Sequence, residues 1–146
     1  MRLIGIAAKP VRRGPMKLLA NAHVTTESGL AEDCRGKGRS KRRQVTLLSF
    51  DQWIEACKEL GIDLSWYLRR ANLCITDVAF NATCLGKQLQ IGEVVLQVTG
   101  ETEPCSRMDE VHPGLKAALT PNWRGGTTCR VIMGGSITLG DIVEWV

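Results

Sequence analysis

Gln88-Leu89-Gln90-Ile91-Gly92-Glu93-Val94-Val95-Leu96-Gln97-Val98 is a pair of short apolar-rich runs joined at a glycine. In the second run Val94, Leu96 and Val98 share one face, and Val95, Gln97 and Thr99 share the other. A period of two is the signature of a strand with one face in a core. The stretch predicts a β-hairpin turning at Gly92, and it sets the fold as β-rich.

Outward from the hairpin, the second strand runs into Thr102-Glu103-Pro104-Cys105-Ser106-Arg107-Met108. Proline is favoured in the first turn of a helix. If Thr102 or Glu103 caps a short helix, Cys105 lies in its first turn. There the unsatisfied N–H groups favour a thiolate, with Arg107 adding positive charge. A thiolate suits nucleophilic chemistry, a transferable sulfur atom or a soft metal. A buried structural thiol is the alternative, and the residues alone leave both open. A hydrolase pair with His112, seven residues on, is the weaker nucleophilic reading.

The rest of the chain adds strands. Alternation or apolar runs predict strands at 2–7, 17–25, 43–48, 74–76, 127–133, 137–139 and 141–146, with a tight turn at Gly134-Gly135. Ser49-Phe50-Asp51-Gln52 has the form of a capping box. Trp53, Ile54, Cys57 and Leu60 follow at helical spacing and Gly61 can end the run, so a helix is expected at 50–60. Asp63 is expected to cap a second helical piece through Leu68, and 115–119 reads as a helical turn. Strands and helices are not regularly interleaved, which argues against a doubly wound sheet. The prediction is a mainly β single domain over 1–146: a closed or nearly closed β-barrel with two or three short helices.

Composition excludes several classes. Hydrophobic residues make up 44% of the 146 residues and charged residues 23%, which is ordinary for a folded chain and argues against wholesale disorder. No apolar run approaches the roughly 18 residues a spanning helix needs, so no membrane partner is expected. The short N-terminal apolar run stops at Lys9-Pro10 and reads as a strand rather than a signal peptide. The expected location is therefore cytoplasmic. The six cysteines (34, 57, 74, 84, 105 and 129) contain no Cys-x-x-Cys pair. That disfavours structural zinc, and a cytoplasmic chain disfavours disulfides. Cys57, Cys74 and Cys129 lie among apolar residues and read as core.

The net charge of +4 is uneven. Arg35, Lys37, Arg39, Lys41, Arg42 and Arg43 put six positive charges in nine residues and leave the remaining chain at −2. Residues 29–41 lack apolar periodicity and read as a long loop. A nucleic-acid module working through 35–43 is one reading, but no aromatic falls in 31–49 to serve as a stacking platform, which counts against it. The others are a solvated loop, or recognition of a small anion or phosphate by Arg42, Arg43 or Arg70.

In order along the chain, short strings resemble the MOSC domain family, named for the C-terminal domain of molybdenum cofactor sulfurase. They are Gly14-Pro15-Met16; Gly29-Leu30 with Asp33; Arg43-Gln44-Val45-Thr46-Leu47-Leu48; Arg69-Arg70-Ala71-Asn72-Leu73; Leu85-Gly86-Lys87 through Ile91-Gly92; Pro104-Cys105; Arg124-Gly125-Gly126 with Arg130-Val131; and Gly134-Gly135-Ser136-Ile137 with Gly140-Asp141. Glu32 stands where the family often has glycine, and Ala71 separates the arginines from Asn72. The resemblance implies a β-barrel. It also implies that Cys105 carries sulfur or ligates molybdenum in a molybdopterin cofactor. By the same resemblance Arg43, Arg70, Asn72 and Arg130 are the candidate cofactor-binding residues, the arginines facing an anionic pterin phosphate. The implied activity is that of a sulfur-transfer component or a molybdenum-cofactor-dependent reductase. The implied partner is a separate cysteine desulfurase, which would hold the pyridoxal phosphate, or an electron-donor reductase. A non-catalytic interaction domain with an inert thiol is the remaining alternative.

Overall fold

The computed structural model describes residues 1–34 and 40–146. Eleven strands and three α-helices are present among them, so the chain is mainly β. In chain order the strands are β1 (Arg2–Ala8), β2 (Lys17–Leu19), β3 (Asn21–Thr25), β4 (Gly29–Leu30), β5 (Val45–Ser49), β6 (Leu73–Thr76), β7 (Gln88–Ile91), β8 (Val94–Glu101), β9 (Thr127–Met133), β10 (Gly135–Thr138) and β11 (Val143–Trp145). The helices are α1 (Phe50–Leu60), α2 (Arg107–Val111) and α3 (Leu115–Leu119). None is long and apolar enough to cross a membrane.

The opening hairpin forms as its alternation requires. Gln88 to Ile91 pair antiparallel with Gln97 to Val94, and Gly92 takes a φ of +55° in the two-residue turn. Val94, Leu96 and Val98 are buried in the larger core, while Val95, Gln97 and Thr99 are half-buried. The hairpin sits within an eight-stranded sheet of order β11-β7-β8-β9-β5-β6-β1-β2, beside a three-stranded sheet β10-β3-β4. One parallel pair, β5 with β6, interrupts the otherwise antiparallel pattern, and α1 lies in the crossover between them.

The expected closed or nearly closed barrel is not confirmed: among the described residues neither sheet closes on itself. The large sheet ends at β11 and β2, and the isolated bridge Arg2–Ile142 links the β1 side to the β11 side. Two features account for this. β11 is only three residues long and starts just after the turn at Gly140-Asp141. The second half of β1, from Ile6 to Ala8, is already paired with β2.

Two other expectations change. The single strand at 17–25 breaks at Ala20 into β2 and β3, which belong to different sheets. Gly134-Gly135 is not a hairpin turn, because β10 pairs with β3 rather than with β9. A side chain at Gly134 would meet the Val24 carbonyl oxygen at 2.6 Å, so the glycine permits close passage of the chain between the sheets.

Helix α1 starts at Ser49, whose Oγ accepts from Gln52 N (3.2 Å), and ends at Gly61 with φ +66°. Gln52 does not close a capping box. Its Nε2 donates to the carbonyls of Phe80 (3.1 Å) and Asn122 (2.9 Å), and its Oε1 accepts from Phe80 N (3.0 Å). Trp53, Ala56 and Cys57 bury the apolar face of α1 against Met108, Leu115 and Leu119, forming a second core that takes in Leu48 of β5. The helical piece expected from Asp63 is a 3-10 turn at Trp66–Arg69, with Ser65 at its N-cap position.

Candidate functional site

The second core seats the 102–108 segment. Thr102 N donates to the Gly126 carbonyl (2.8 Å), which continues the β8–β9 pairing, and Met108 is buried among the helices. Between these anchors Cys105 is exposed, whereas Cys57, Cys74, Cys84 and Cys129 are buried and Cys34 is half-buried; all six are free thiols. Burial pushes the thiols of Cys74 and Cys129 up to about 12. Cys57, Cys74 and Cys129 therefore behave as the sequence suggested, as small core residues.

The expected helix start moves. Ser106 is the N-cap and α2 begins at Arg107, so Cys105 lies just outside the helix and its carbonyl accepts from Met108 N (3.0 Å). A five-residue helix contributes little dipole at that position. The setting of Cys105 is instead a cleft of about 180 Å³ lined by Arg43, Thr46, Leu47, Arg69, Arg70, Ala71, Thr102, Glu103, Cys105, Arg107, Met108 and Gly125. Four arginines and one thiol thus meet in one concavity.

Each arginine is held differently. Arg69 is buried, and its Nε and Nη2 donate to the carbonyls of Gly125 (2.9 Å) and Thr102 (3.0 Å). One planar guanidinium thereby fixes the two backbone segments that wall the cleft. A Cβ at Gly125 would meet Thr102 O at 2.5 Å, so the close approach needs glycine. Arg70 has a left-handed backbone, φ +67°, which is costly for a residue with a side chain. Its Nη2 donates to the Gly14 carbonyl (2.6 Å), tying the loop between β1 and β2 to the cleft. Arg43 ends an exposed 3-10 turn, Lys41–Arg43, capped by Ser40. Arg107 is exposed at the start of α2.

Of the residues singled out from the sequence, Cys105, Arg43 and Arg70 come together here. Asn72 and Arg130 do not line the cleft. Asn72 is buried and its amide is fully engaged. Oδ1 accepts from Thr46 N (3.0 Å) and Thr46 Oγ1 (3.2 Å), and Nδ2 donates to Ala7 O (3.1 Å) and Asp33 Oδ2 (2.8 Å). It is a strut behind Thr46. Arg130 is exposed on β9, opposite Gln97, between the inward-facing Cys129 and Val131. The basic run is described only in part: Arg35, Lys37 and Arg39 lie outside the described residues.

Sequence reasoning missed Arg69 and Thr102 as members of the site. Thr102 is 9% exposed, and its Oγ1 has no hydrogen-bond partner among the described residues. Glu101 and Glu103 flank it. The Glu101 carboxyl is pushed up by burial and, secondarily, by the charge on Glu103. Arg124 lies behind Gly125 and bonds Glu59 through Nη1 (2.8 Å) and Nη2 (2.9 Å) and Glu55 through Nη2 (3.0 Å). It pins the Gly125-Gly126 wall to α1.

A family model of the MOSC domain matches residues 33–144. No curated protein matches the sequence. Among solved structures the chain is similar to the YuaD protein from Bacillus subtilis, at 16% identity, 97% of this chain, 93% of that chain and a TM-score of 0.78. It is also similar to YiiM from Geobacillus stearothermophilus (17% identity, 99% and 72% of the two chains, TM-score 0.72) and YiiM from Escherichia coli (14%, 100% and 70%, TM-score 0.73). At such identities these likenesses establish the fold. The family match spans most of the chain and includes Cys105 with all four arginines, and the chain belongs to the MOSC domain family.

Proposed function

We propose that this protein binds a molybdenum-type pterin cofactor, with Cys105 as the thiolate ligand of its metal. The observation carrying this is that Cys105, exposed, shares its cleft with Arg43, Arg69, Arg70 and Arg107. The family's association with molybdenum-cofactor chemistry supports it.

The residues present fit such a group. Among the described residues no cluster of three or more His, Cys, Asp or Glu could hold a metal. This cleft therefore offers one soft donor and no cage, which suits a metal that arrives already chelated by an organic ligand. Arginines are the natural recognition groups for a phosphate on that ligand. The uncommitted Thr102 Oγ1 is a further hydrogen-bonding group at the wall. When bound, the group supplies two-electron redox chemistry; the chain's own contribution is to ligate, to balance negative charge and to fix orientation. Electrons would come from a separate reductase. The test is whether molybdenum and pterin co-purify with the wild type and are lost from Cys105→Ala.

A second reading, a sulfur carrier, is favoured by the exposure of Cys105, which lets another protein reach it. The thiolate would attack the outer sulfur of a donor persulfide. A new S–S bond forms on Cys105 as the donor's S–S bond breaks, and the donor leaves as a thiolate. The donor would be a cysteine desulfurase, which would carry the pyridoxal phosphate. Both readings go with a reducing, cytoplasmic setting, which keeps a lone exposed thiol free. A +32 Da species on wild type and on Cys105→Ala alike, after incubation with a desulfurase and cysteine, removes this second role from Cys105.

A further inference from the structure

The arginines that line the Cys105 cleft are not the only positive charge at its mouth. Arg43 ends a 3-10 turn whose first two residues, Lys41 and Arg42, are also exposed but do not line the cleft. Lys41 Nζ donates to Thr26 O (3.2 Å) and Thr99 Oγ1 donates to Arg42 O, so the turn is fixed at two points. A second basic pair lies in the loop between β1 and β2. Arg12 and Arg13 are exposed in a turn closed by Gly14 N donating to Val11 O (2.9 Å). Arg70, in the cleft lining, donates through Nη2 to Gly14 O and ties this turn to the cleft wall. Two cationic pairs are thus carried at the cleft through Arg43 and Arg70.

Few acidic groups offset them. Asp33 turns inward: it is buried, and its Oδ2 accepts from Lys9 N (3.0 Å) and Asn72 Nδ2 (2.8 Å). Glu32 pairs with Lys17 at 3.8 Å. The α2 side of the mouth is mixed. Glu103 lines the cleft and Glu110 is exposed on the same short helix as Arg107. Asp109 is also exposed there, its Oδ1 accepting from Gly114 N (3.2 Å) and Lys116 N (3.1 Å).

A cofactor anion in the cleft meets the four lining arginines, and Arg12, Arg13, Lys41 and Arg42 are additional to them. Exposed charges of one sign beside a reactive centre act on large partners, raising the encounter rate and fixing orientation. Val11, exposed beside Arg12, adds the apolar contact that protein interfaces combine with arginine. Neither 11–13 nor 41–43 contains an aromatic residue, so these segments offer no stacking platform for single-stranded nucleic acid.

Resting on the function proposed above, in which a separate protein delivers electrons or sulfur at Cys105, we infer that this basic lip is that donor's docking surface and that the donor's docking face is acidic. Asp and Glu side chains around the donor's reactive group meet Arg12, Arg13, Lys41 and Arg42. Glu103 and Glu110 repel the same face from the α2 side, which sets its orientation.

The test compares two peptides of equal length, one rich in Asp and Glu and the other with Ser and Asn in their place. Each carries a single cysteine as a mixed disulfide with thionitrobenzoate. The Cys105 thiolate attacks the peptide sulfur, a new S–S bond joins the two, and thionitrobenzoate leaves as a thiolate. The rate at Cys105 of the full-length protein is read by mass spectrometry and divided by that peptide's rate with 2-mercaptoethanol. The expected result at low salt is about a tenfold preference for the acidic peptide. It should vanish near about 1 M salt, where the screening length is about 3 Å. Arg12→Glu with Arg13→Glu, and Lys41→Glu with Arg42→Glu, should each lower the preference about threefold. Lys58→Glu with Lys87→Glu, an equal change of net charge at exposed positions outside the lip, should lower it less. Equal rates for the two peptides, a preference unchanged in both lip variants, or an equal loss in the Lys58 and Lys87 variant overturns the inference while leaving a reactive Cys105 intact. A single-stranded oligonucleotide that shields Cys105, with no preference for the acidic peptide, assigns the lip to nucleic acid and also overturns it. A Cys105 inert to both peptides overturns the proposed function, and the inference with it.

Discussion

At the scale of single residues, exposure sorts the cysteines. Cys105 is open to reagents, while Cys74 and Cys129 are buried with thiols pushed up to about 12. Brief alkylation at pH 8 should modify Cys105 and leave Cys74 and Cys129 untouched until denaturant is added, as peptide mass spectrometry would show. Asn72 makes the opposite kind of contribution. Truncation to alanine strands the buried Thr46 N–H, the Ala7 carbonyl and one Asp33 oxygen contact, and should cost roughly 2–4 kcal/mol in denaturant unfolding. Arg130→Ala should leave stability nearly unchanged, because the side chain is exposed on β9. The Pro104-Cys105 string was legible as chemistry because cysteine beside proline is a distinctive pair. Arg69 was not legible. It is the same letter as Arg70, and only the left-handed backbone at 70 sends one guanidinium to Gly125 and Thr102 and the other to Gly14.

Among elements, the cleft depends on two backbone segments held side by side. Gly125→Ala places a Cβ 2.5 Å from Thr102 O and should destabilise by roughly 1–3 kcal/mol while changing the alkylation rate of Cys105. Behind that wall, Arg124 lowers the Glu59 carboxyl from its ordinary value, first through their hydrogen bonds and also through its charge, against a smaller upward push from burial. A carboxyl lowered in the folded state stabilises above its unfolded value, about 4.3, and loses that contribution as pH falls through the folded value. Acid unfolding of the wild type should therefore show a loss below about pH 4.3 that Glu59→Gln lacks. Strand and helix positions were largely legible. The β7–β8 alternation, the Ser49 cap and the Gly61 stop are local signals, and local signals survive in a sequence. The start of α2 was not, because Pro104-Cys105 fits a first turn as well as it fits the extended lead into Ser106. Nor was the loss of the capping box, since Gln52 is drawn to Phe80 and Asn122, 28 and 70 residues away.

For the whole molecule, the expected β-rich chain with short helices is present, and the expected closure is not confirmed among the described residues. Closure depends on what the two sheet ends do, and β11 and β2 are set by short strands and turns far apart in sequence. The same long-range logic brings residues 43, 69, 70, 105 and 107 into one cleft, which no local pattern encodes. The ordered family strings carried that part of the expectation; of the residues they pointed to, Cys105, Arg43 and Arg70 line the cleft, and Asn72 and Arg130 do not. The central claim is that one exposed thiol among arginines ligates the metal of an anionic cofactor. The most direct measurement is the molybdenum and pterin content of the protein purified from a host that makes the cofactor, with Cys105→Ala prepared in parallel. The predicted result is molybdenum and pterin together in the wild type, with molybdenum lost from Cys105→Ala. Wild-type protein free of both, or Cys105→Ala carrying as much molybdenum as the wild type, would contradict it.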